Sequence, residues 1–154
     1  MPEASKNLSP REVLMKILTL LSSDVSKLAD LFAEEGVMEF PFTPHGTPNR
    51  IEGRQAIRKF ISDYGFSSAR LRLDAHNDLV IRETTDPEII IVEFKSQVTW
   101  VPTAKSSLLP CIQVIQVKNG QIVLYRDYVN PIAAPRATGR LQQLAHLLDA
   151  EDRS

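Results

Sequence analysis

The sequence has a single cysteine, Cys111, among 154 residues. One thiol cannot build an internal disulfide framework or a thiolate-rich metal site. Neither sign of charge is in excess: 18 Lys and Arg stand against 19 Asp and Glu, a formal net of −1. A basic surface for nucleic acid or for an anionic membrane is therefore not expected. Long apolar runs are missing too. No stretch approaches the ~18 residues of a membrane span, and the polar opening MPEASKNLSP lacks an apolar signal core. There is no glycine-rich phosphate loop, nucleophile elbow or Walker motif, so no nucleotide, flavin or other cofactor is implied. No repeat, low-complexity tract or linker divides the chain. The expectation is a soluble, cytoplasmic protein of one domain, with ordinary globular content: 43% hydrophobic and 24% charged residues.

What is present is a clear order of elements. Ser9-Pro10 with Glu12 reads as a capping box opening a helix, followed by Val13, Leu14, Ile17, Leu18, Leu20 and Leu21 at helical spacing. A second helix is predicted to about Phe32, stopped by Gly36 as a C-terminal glycine. Val37 to Phe42 alternates as a short strand with Pro41 at its edge or end, and Thr43 to Asn49 is a loop. Gly53 to about Phe66 is helical again, with Ala56, Ile57, Phe60, Ile61 and Tyr64 on one side. The period then changes to two, which predicts strands near 71–82, 88–101, 108–118 and 121–130. Leu141, Leu144, Ala145, Leu147 and Leu148 suggest a last amphipathic helix. Helices first and an antiparallel meander last is an α+β layout: three helices packed on a curved sheet, with a cavity between the layers.

Asn119-Gly120 is a strong hairpin signal, since both residues accept the positive φ of a type I′ turn. It sets Lys118 opposite Gln121. Continued without interruption, that register puts Ile112, Val114, Gln116, Val123, Tyr125, Asp127 and Val129 on one face. Cys111, Gln113, Ile115, Val117, Ile122, Leu124, Arg126 and Tyr128 fall on the other. Both faces are mostly apolar, so each needs a cover. The helices cover one. A second chain covers the other in a homodimer through the sheet, or the C-terminal helix covers it in a monomer.

Asp127 is the conspicuous residue. It is an acid deep in a strand, flanked by Tyr125, Tyr128 and Val129. An apolar setting disfavours its charged form and raises its pKa toward working pH, which suits a general acid or base. The alternative is that it pairs with Arg126, Arg136 or Arg72 and only holds the structure.

Three segments, LADLFAEEGVMEFPF, RIEGRQAIRKFI and KNGQIVLYRDYVNP, occur in this order and together resemble the NTF2-like superfamily. Within it they are similar to the SnoaL-like proteins: polyketide cyclases, ketosteroid isomerase-like proteins, limonene epoxide hydrolase and phenazine-biosynthesis A/B-like proteins. The resemblance covers residues 10–132, leaving 133–154 as a helical tail of a single domain spanning 1–154. It implies a cone-shaped barrel, a closed apolar pocket and a dimer. Aligned without gaps, the general-base aspartate of the ketosteroid isomerases falls on Phe40 and their oxyanion-hole tyrosine on Lys16. Phenylalanine cannot carry a proton, so the steroid reaction in its familiar form is not expected. An epoxide-hydrolase set would need partners for Asp127, for which Glu93 and Arg72 are candidates by residue type alone. The cyclase and phenazine-type members carry an acid in an arginine–acid–aromatic step on the last strand, here Arg126-Asp127-Tyr128. ETTDPEIIIVEF is a second phenazine-like phrase, but Gln113 and Gln116 stand where a cyclase histidine is expected.

The resemblance therefore implies a SnoaL-like isomerase, cyclase or lyase without cofactor, acting on a small apolar carbonyl compound, with Asp127 as catalytic acid/base. Phe40, Phe42, Phe60, Tyr64, Trp100, Val114 and Tyr125 are the expected substrate-pocket residues, and the partner is a small apolar or aromatic ligand. The alternatives are a non-catalytic ligand-binding protein using the same pocket, or a dimeric interaction module. His45 in its loop reads as solvated, His76 sits in a polar stretch with Asp74, Asn77 and Asp78 whose alternation does not converge on a metal, and His146 in the last helix lies at the surface or in a partner contact. No metal site is expected, and Cys111 reads as an inert structural thiol. Glu39 is expected on a solvated strand face.

Overall fold

Ser9 caps the first helix as its spacing predicts. Its hydroxyl accepts from the Glu12 amide at 3.2 Å, and its own amide donates to the Glu12 carboxylate at 2.7 Å. The computed structural model containing this box describes residues 7–44, 46–65 and 70–153. Helix α1 (Pro10–Ser23) buries Val13, Leu14, Ile17 and Leu18. A 3-10 segment, Val25–Leu31, follows and buries Leu28 and Ala29.

Here the chain departs from the sequence-based expectation. Strand β1 (Phe32–Glu39) begins at Phe32 and runs through Gly36, which therefore does not stop a helix. β1 pairs in parallel with the last strand, and the register slips between Phe32 and Val37. A Cβ added at Gly36 would lie 2.8 Å from the Ile122 carbonyl oxygen and 3.1 Å from the Phe32 ring. Glycine is required by this close backbone approach at an irregular pairing. We expect Gly36→Ala to destabilise the fold by about 1–3 kcal/mol, as overpacking does; the urea midpoint checks this.

Strand β2 (Arg50–Glu52) was not foreseen; it forms a short hairpin arm on β1, with Met38 opposite Ile51. Helix α2 is Arg54–Tyr64, against an expected end at Phe66, which lies outside the described residues. The four long strands are β3 (Leu71–Glu83), β4 (Ile89–Trp100), β5 (Lys105–Lys118) and β6 (Gln121–Val129). They make one six-stranded sheet in the order β2-β1-β6-β5-β4-β3, antiparallel except at β1/β6. The α+β layout is as expected, with two N-terminal α-helices and a 3-10 segment in place of three helices. The tail carries a short α3 (Ala133–Ala137) and α4 (Leu141–Glu151), which buries no residue.

The core lies between the helices and the inner face of the sheet. It joins Val13, Leu14 and Ile17 of α1 to Ile90 and Val92 of β4, Ile115 and Val117 of β5, and Ile122 of β6. The final hairpin turns at Asn119 and Gly120, with φ of +51° and +76°. Lys118 does face Gln121, but the ladder then slips: Val117 pairs with Ile122 and Gln116 with Leu124, leaving Val123 as the extra residue. A bulge of this kind inverts the side-chain alternation beyond it. Tyr125 and Asp127 therefore stand opposite Ile115 and Gln113, on the inner face, and not beside Val114.

Candidate functional site

The inversion at Val123 builds the site. Gln113 and Asp127 become direct cross-strand partners, and the Gln113 Nε2 donates to Asp127 Oδ2 at 3.2 Å. The second carboxylate oxygen of Asp127 is buried with no hydrogen-bond partner among the described residues. The Gln113 side-chain oxygen is equally buried and unpartnered, on a residue only 3% exposed. Burial raises the Asp127 pKa from 3.8 to about 7, opposed only in part by the Gln113 amide. The expected structural alternative, an arginine partner, is not realised: Arg126 points to the other face and binds Glu39 at 2.7 Å. Glu39 is held there by Arg126 and Arg50 together, which lower its pKa, so it faces away from Asp127.

Around the carboxylate stand groups that share its face. Tyr125 is 4% exposed, and its phenol pKa is raised well above the usual value by burial and by the charges of Asp127 and Cys111. Cys111 is half-buried, and its thiol pKa is pushed up by burial and by Asp127, which keeps it an unreactive thiol. On the neighbouring strand Met38 pairs with Tyr125 and Glu39 with Arg126, and Phe40 follows the end of β1. The Phe40 ring lies 5.2 Å from Phe60, which stacks on Tyr64 at 5.0 Å and 19°. Tyr64 is 56% exposed. These three rings form a continuous row from Phe40, packed against the core, to exposed Tyr64.

Other expected pocket residues are elsewhere. Val114 is paired with Arg126 on the outer face, because the bulge reverses β6. Phe42 is 57% exposed and packs edge-on against Tyr128 at 5.3 Å. It lines a groove of about 670 Å³ on the outer face with Val80, Ile112 and Tyr128. Trp100 is at the far end of β4 opposite Leu71, with its indole nitrogen buried and unpartnered. Lys16 is exposed on α1, Glu93 pairs with Arg82, and Arg72 pairs with Asp74. No epoxide-hydrolase set therefore converges on Asp127. His45 lies outside the described residues, and His146 is on α4.

Sequence reasoning missed His76. It is half-buried on β3 opposite the buried Ser96, with its ring edge-on to Phe94 at 5.2 Å and 88°. Both ring nitrogens are buried and without a partner among the described residues, and burial lowers its pKa from 6.5. The polar residues around it are engaged elsewhere: Asp74 accepts from Thr99, Asn77 donates to Gln97, and Asp78 pairs with Lys95. In the sequence His76 has the parity of Asp74 and not of Leu73, and the register shift between Leu73 and Ala75 brings it opposite Ser96, on the face of Leu73.

Comparison with known proteins bears on the family and the fold. Residues 17–125 match the SnoaL-like domain family. An uncharacterised PhzA/B-like protein of Pseudomonas aeruginosa is 32% identical over 148 residues, covering 92% of this chain and 98% of that one. A solved Bacillus subtilis structure, named provisionally as an isomerase, superposes with a TM-score of 0.76 at 32% identity, covering 84% of this chain and 92% of its own. A Catenulispora acidiphila protein with a ketosteroid isomerase-like fold, solved with trimethylamine, superposes with a TM-score of 0.66 at 14% identity, covering 86% and 95%.

Proposed function

This chain belongs to the SnoaL-like family, and from that premise we propose that it is a cofactor-independent isomerase, cyclase or lyase acting on a small apolar carbonyl compound. The observation that carries the reading is Asp127: a buried inner-face carboxyl with one unpaired oxygen and a pKa of about 7. A carboxyl titrating near neutrality can both take and return a proton at working pH. In the proposed step Asp127 removes a proton from the carbon next to the carbonyl. The C–H electron pair becomes the C=C bond of an enolate, and the carbonyl π pair moves to oxygen. The same carboxyl then returns the proton, either to that carbon, which gives exchange, or, in a substrate with a C=C bond next to the enolate, to the far carbon of that bond, which shifts the double bond. Tyr125 stands on the same face two residues before Asp127 and supplies a hydrogen bond to the oxygen. The Phe40, Phe60 and Tyr64 rings would position a flat apolar substrate.

The test is deuterium wash-in from heavy water into a panel of cyclic ketones, followed by proton NMR. Wash-in above the buffer rate for at least one ketone is expected. No enhancement across the panel would favour the second reading, a ligand-binding protein without chemistry. That reading draws on the fact that the hydrogen-bond partner of Asp127 is an amide and not a second acid or base.

The groove with exposed Phe42, Val80 and Ile112, bordered by the Arg82–Glu93 and Lys95–Asp78 ion pairs, is the surface through which we propose that two copies pair. Native mass spectrometry at micromolar concentration should show a dimer, and Ile112→Lys should shift it to monomer. A wild-type monomer would refute the pairing. Among the described residues no helix is long and apolar enough to cross a membrane.

A further inference from the structure

We propose that the cleft between the first half of β5 and α3 is a second binding site, for a small ligand of the N-acyl amino acid type. The site is separate from Asp127 and independent of the chemistry proposed there. Asp127 faces Gln113, and Leu108 in the cleft wall is five residues further along β5, about 17 Å of strand.

The cleft exists because two neighbouring strands end at different places. β5 pairs with β4 from Lys105 to Gln116, but with β6 only from Cys111 onward. β6 stops at Val129, and the chain leaves the sheet at Asn130 and Pro131 to enter α3. Among the described residues no strand pairs with residues 105–110 on that side. Residues of α3 form the facing wall of a space of about 480 Å³, a size usual for small-ligand sites.

Backbone, charge and apolar surface define what fits. The Val117 amide donates to the Glu88 carbonyl at 2.9 Å, and the β4/β5 ladder runs without a slip. Odd-numbered residues of β5 therefore turn their backbone groups to β4, and Ser106, Leu108 and Pro110 turn theirs to the open side. Pro110 has no N–H, so Leu108 is the cleft residue that offers both a donor and an acceptor. An amino acid acylated at nitrogen answers as a strand residue would. Its N–H donates to the Leu108 carbonyl, and its carboxylate accepts from the Leu108 N–H. The charge of that carboxylate is also matched. Lys105 and Arg136 line the cleft, no acidic residue does, and neither cation has an ion-pair partner among the described residues. Leu109, Ile132, Ala133 and Ala137 supply an apolar surface for an aliphatic side chain. Lys105 and Pro110, at the two ends of the open edge, discourage a second sheet from pairing there, which favours a small ligand.

The probes are N-acetyl-leucine, its neutral primary amide, and 4-methylpentanoate, which keeps the carboxylate and the aliphatic chain but lacks the N–H. Each is titrated to millimolar concentration and followed by amide ¹⁵N correlation spectra. N-acetyl-leucine should bind about tenfold more tightly than either analogue, the value of the one hydrogen bond or charge contact each lacks. It should move the Leu108 amide resonance. Arg136→Gln, at an exposed position, should weaken N-acetyl-leucine about tenfold and leave its neutral amide unchanged. Asp127→Asn should leave all three affinities as they are, which keeps this test apart from that of the proposed chemistry. Equal affinity for the acid and its amide, undiminished binding by Arg136→Gln, a stationary Leu108 resonance, weakened binding in Asp127→Asn, or no binding at all overturns the inference.

Discussion

Replacing Asp127 by asparagine should lower deuterium wash-in by about 10²–10⁴-fold, the usual contribution of a positioned proton carrier. The substitution keeps shape and the Gln113 contact while removing the titratable proton. In wild type the rate should rise about tenfold per pH unit below pH 7 and level above it, because the carboxylate is the base and the group titrates at about 7. The variant should show no such limb. A wild-type profile that is flat between pH 5 and 8, or a variant with undiminished rate, would remove Asp127 from the proposed chemistry.

The same substitution should stabilise the protein, with a pH dependence that identifies its cause. In the folded chain Asp127 holds its proton until about pH 7, against 3.8 for the ordinary carboxyl. Proton binding by the folded state therefore favours folding fully below pH 3.8, and this advantage is lost as pH rises to about 7. Above pH 7 the wild-type chain must keep a charge buried beside Tyr125 and Gln113. Three pH units correspond to an upper bound of about 4 kcal/mol. We expect Asp127→Asn to match wild type near pH 4 and to exceed it by up to about 4 kcal/mol at pH 8, read from urea midpoints. An equal gap at both pH values would mean that the carboxyl is not desolvated. Gaining stability while losing turnover is the behaviour expected of a residue kept for function.

The two predictions depend on different parts of the structure. The rate depends on Oδ1, which is buried without a hydrogen-bond partner among the described residues. The stability depends on the burial of the whole carboxyl, and that follows from the face on which β6 places it. Both trace to the unpaired Val123 and to the parallel strand alongside, where β1 pairs Phe32 with Ile122 and then Val37 with Leu124. The irregularities of the two strands occur together, and Gly36 fits between them because it has no side chain to meet the Ile122 carbonyl.

Local features were legible in the sequence because they depend on neighbouring residues alone. The Ser9 and Glu12 capping box, the α1 apolar stripe, the period-two strands and the Asn119-Gly120 turn are all set by interactions within a few positions. So was the candidacy of Asp127, an acid in an apolar strand, and the three family-like segments gave the α+β cone. Tertiary structure alone decided which side chains meet. The pairing of β6 with β1 and β5 sets a one-residue slip, and a period of two turns that slip into an exchange of faces. It moved Val114 away from Asp127 and brought Gln113 to it. It also left Arg126 to Glu39 outside, so that no cation among the described residues neutralises the acid within. The ring nitrogens of His76 are buried for the same kind of reason, since the register shift between Leu73 and Ala75 sets it opposite Ser96.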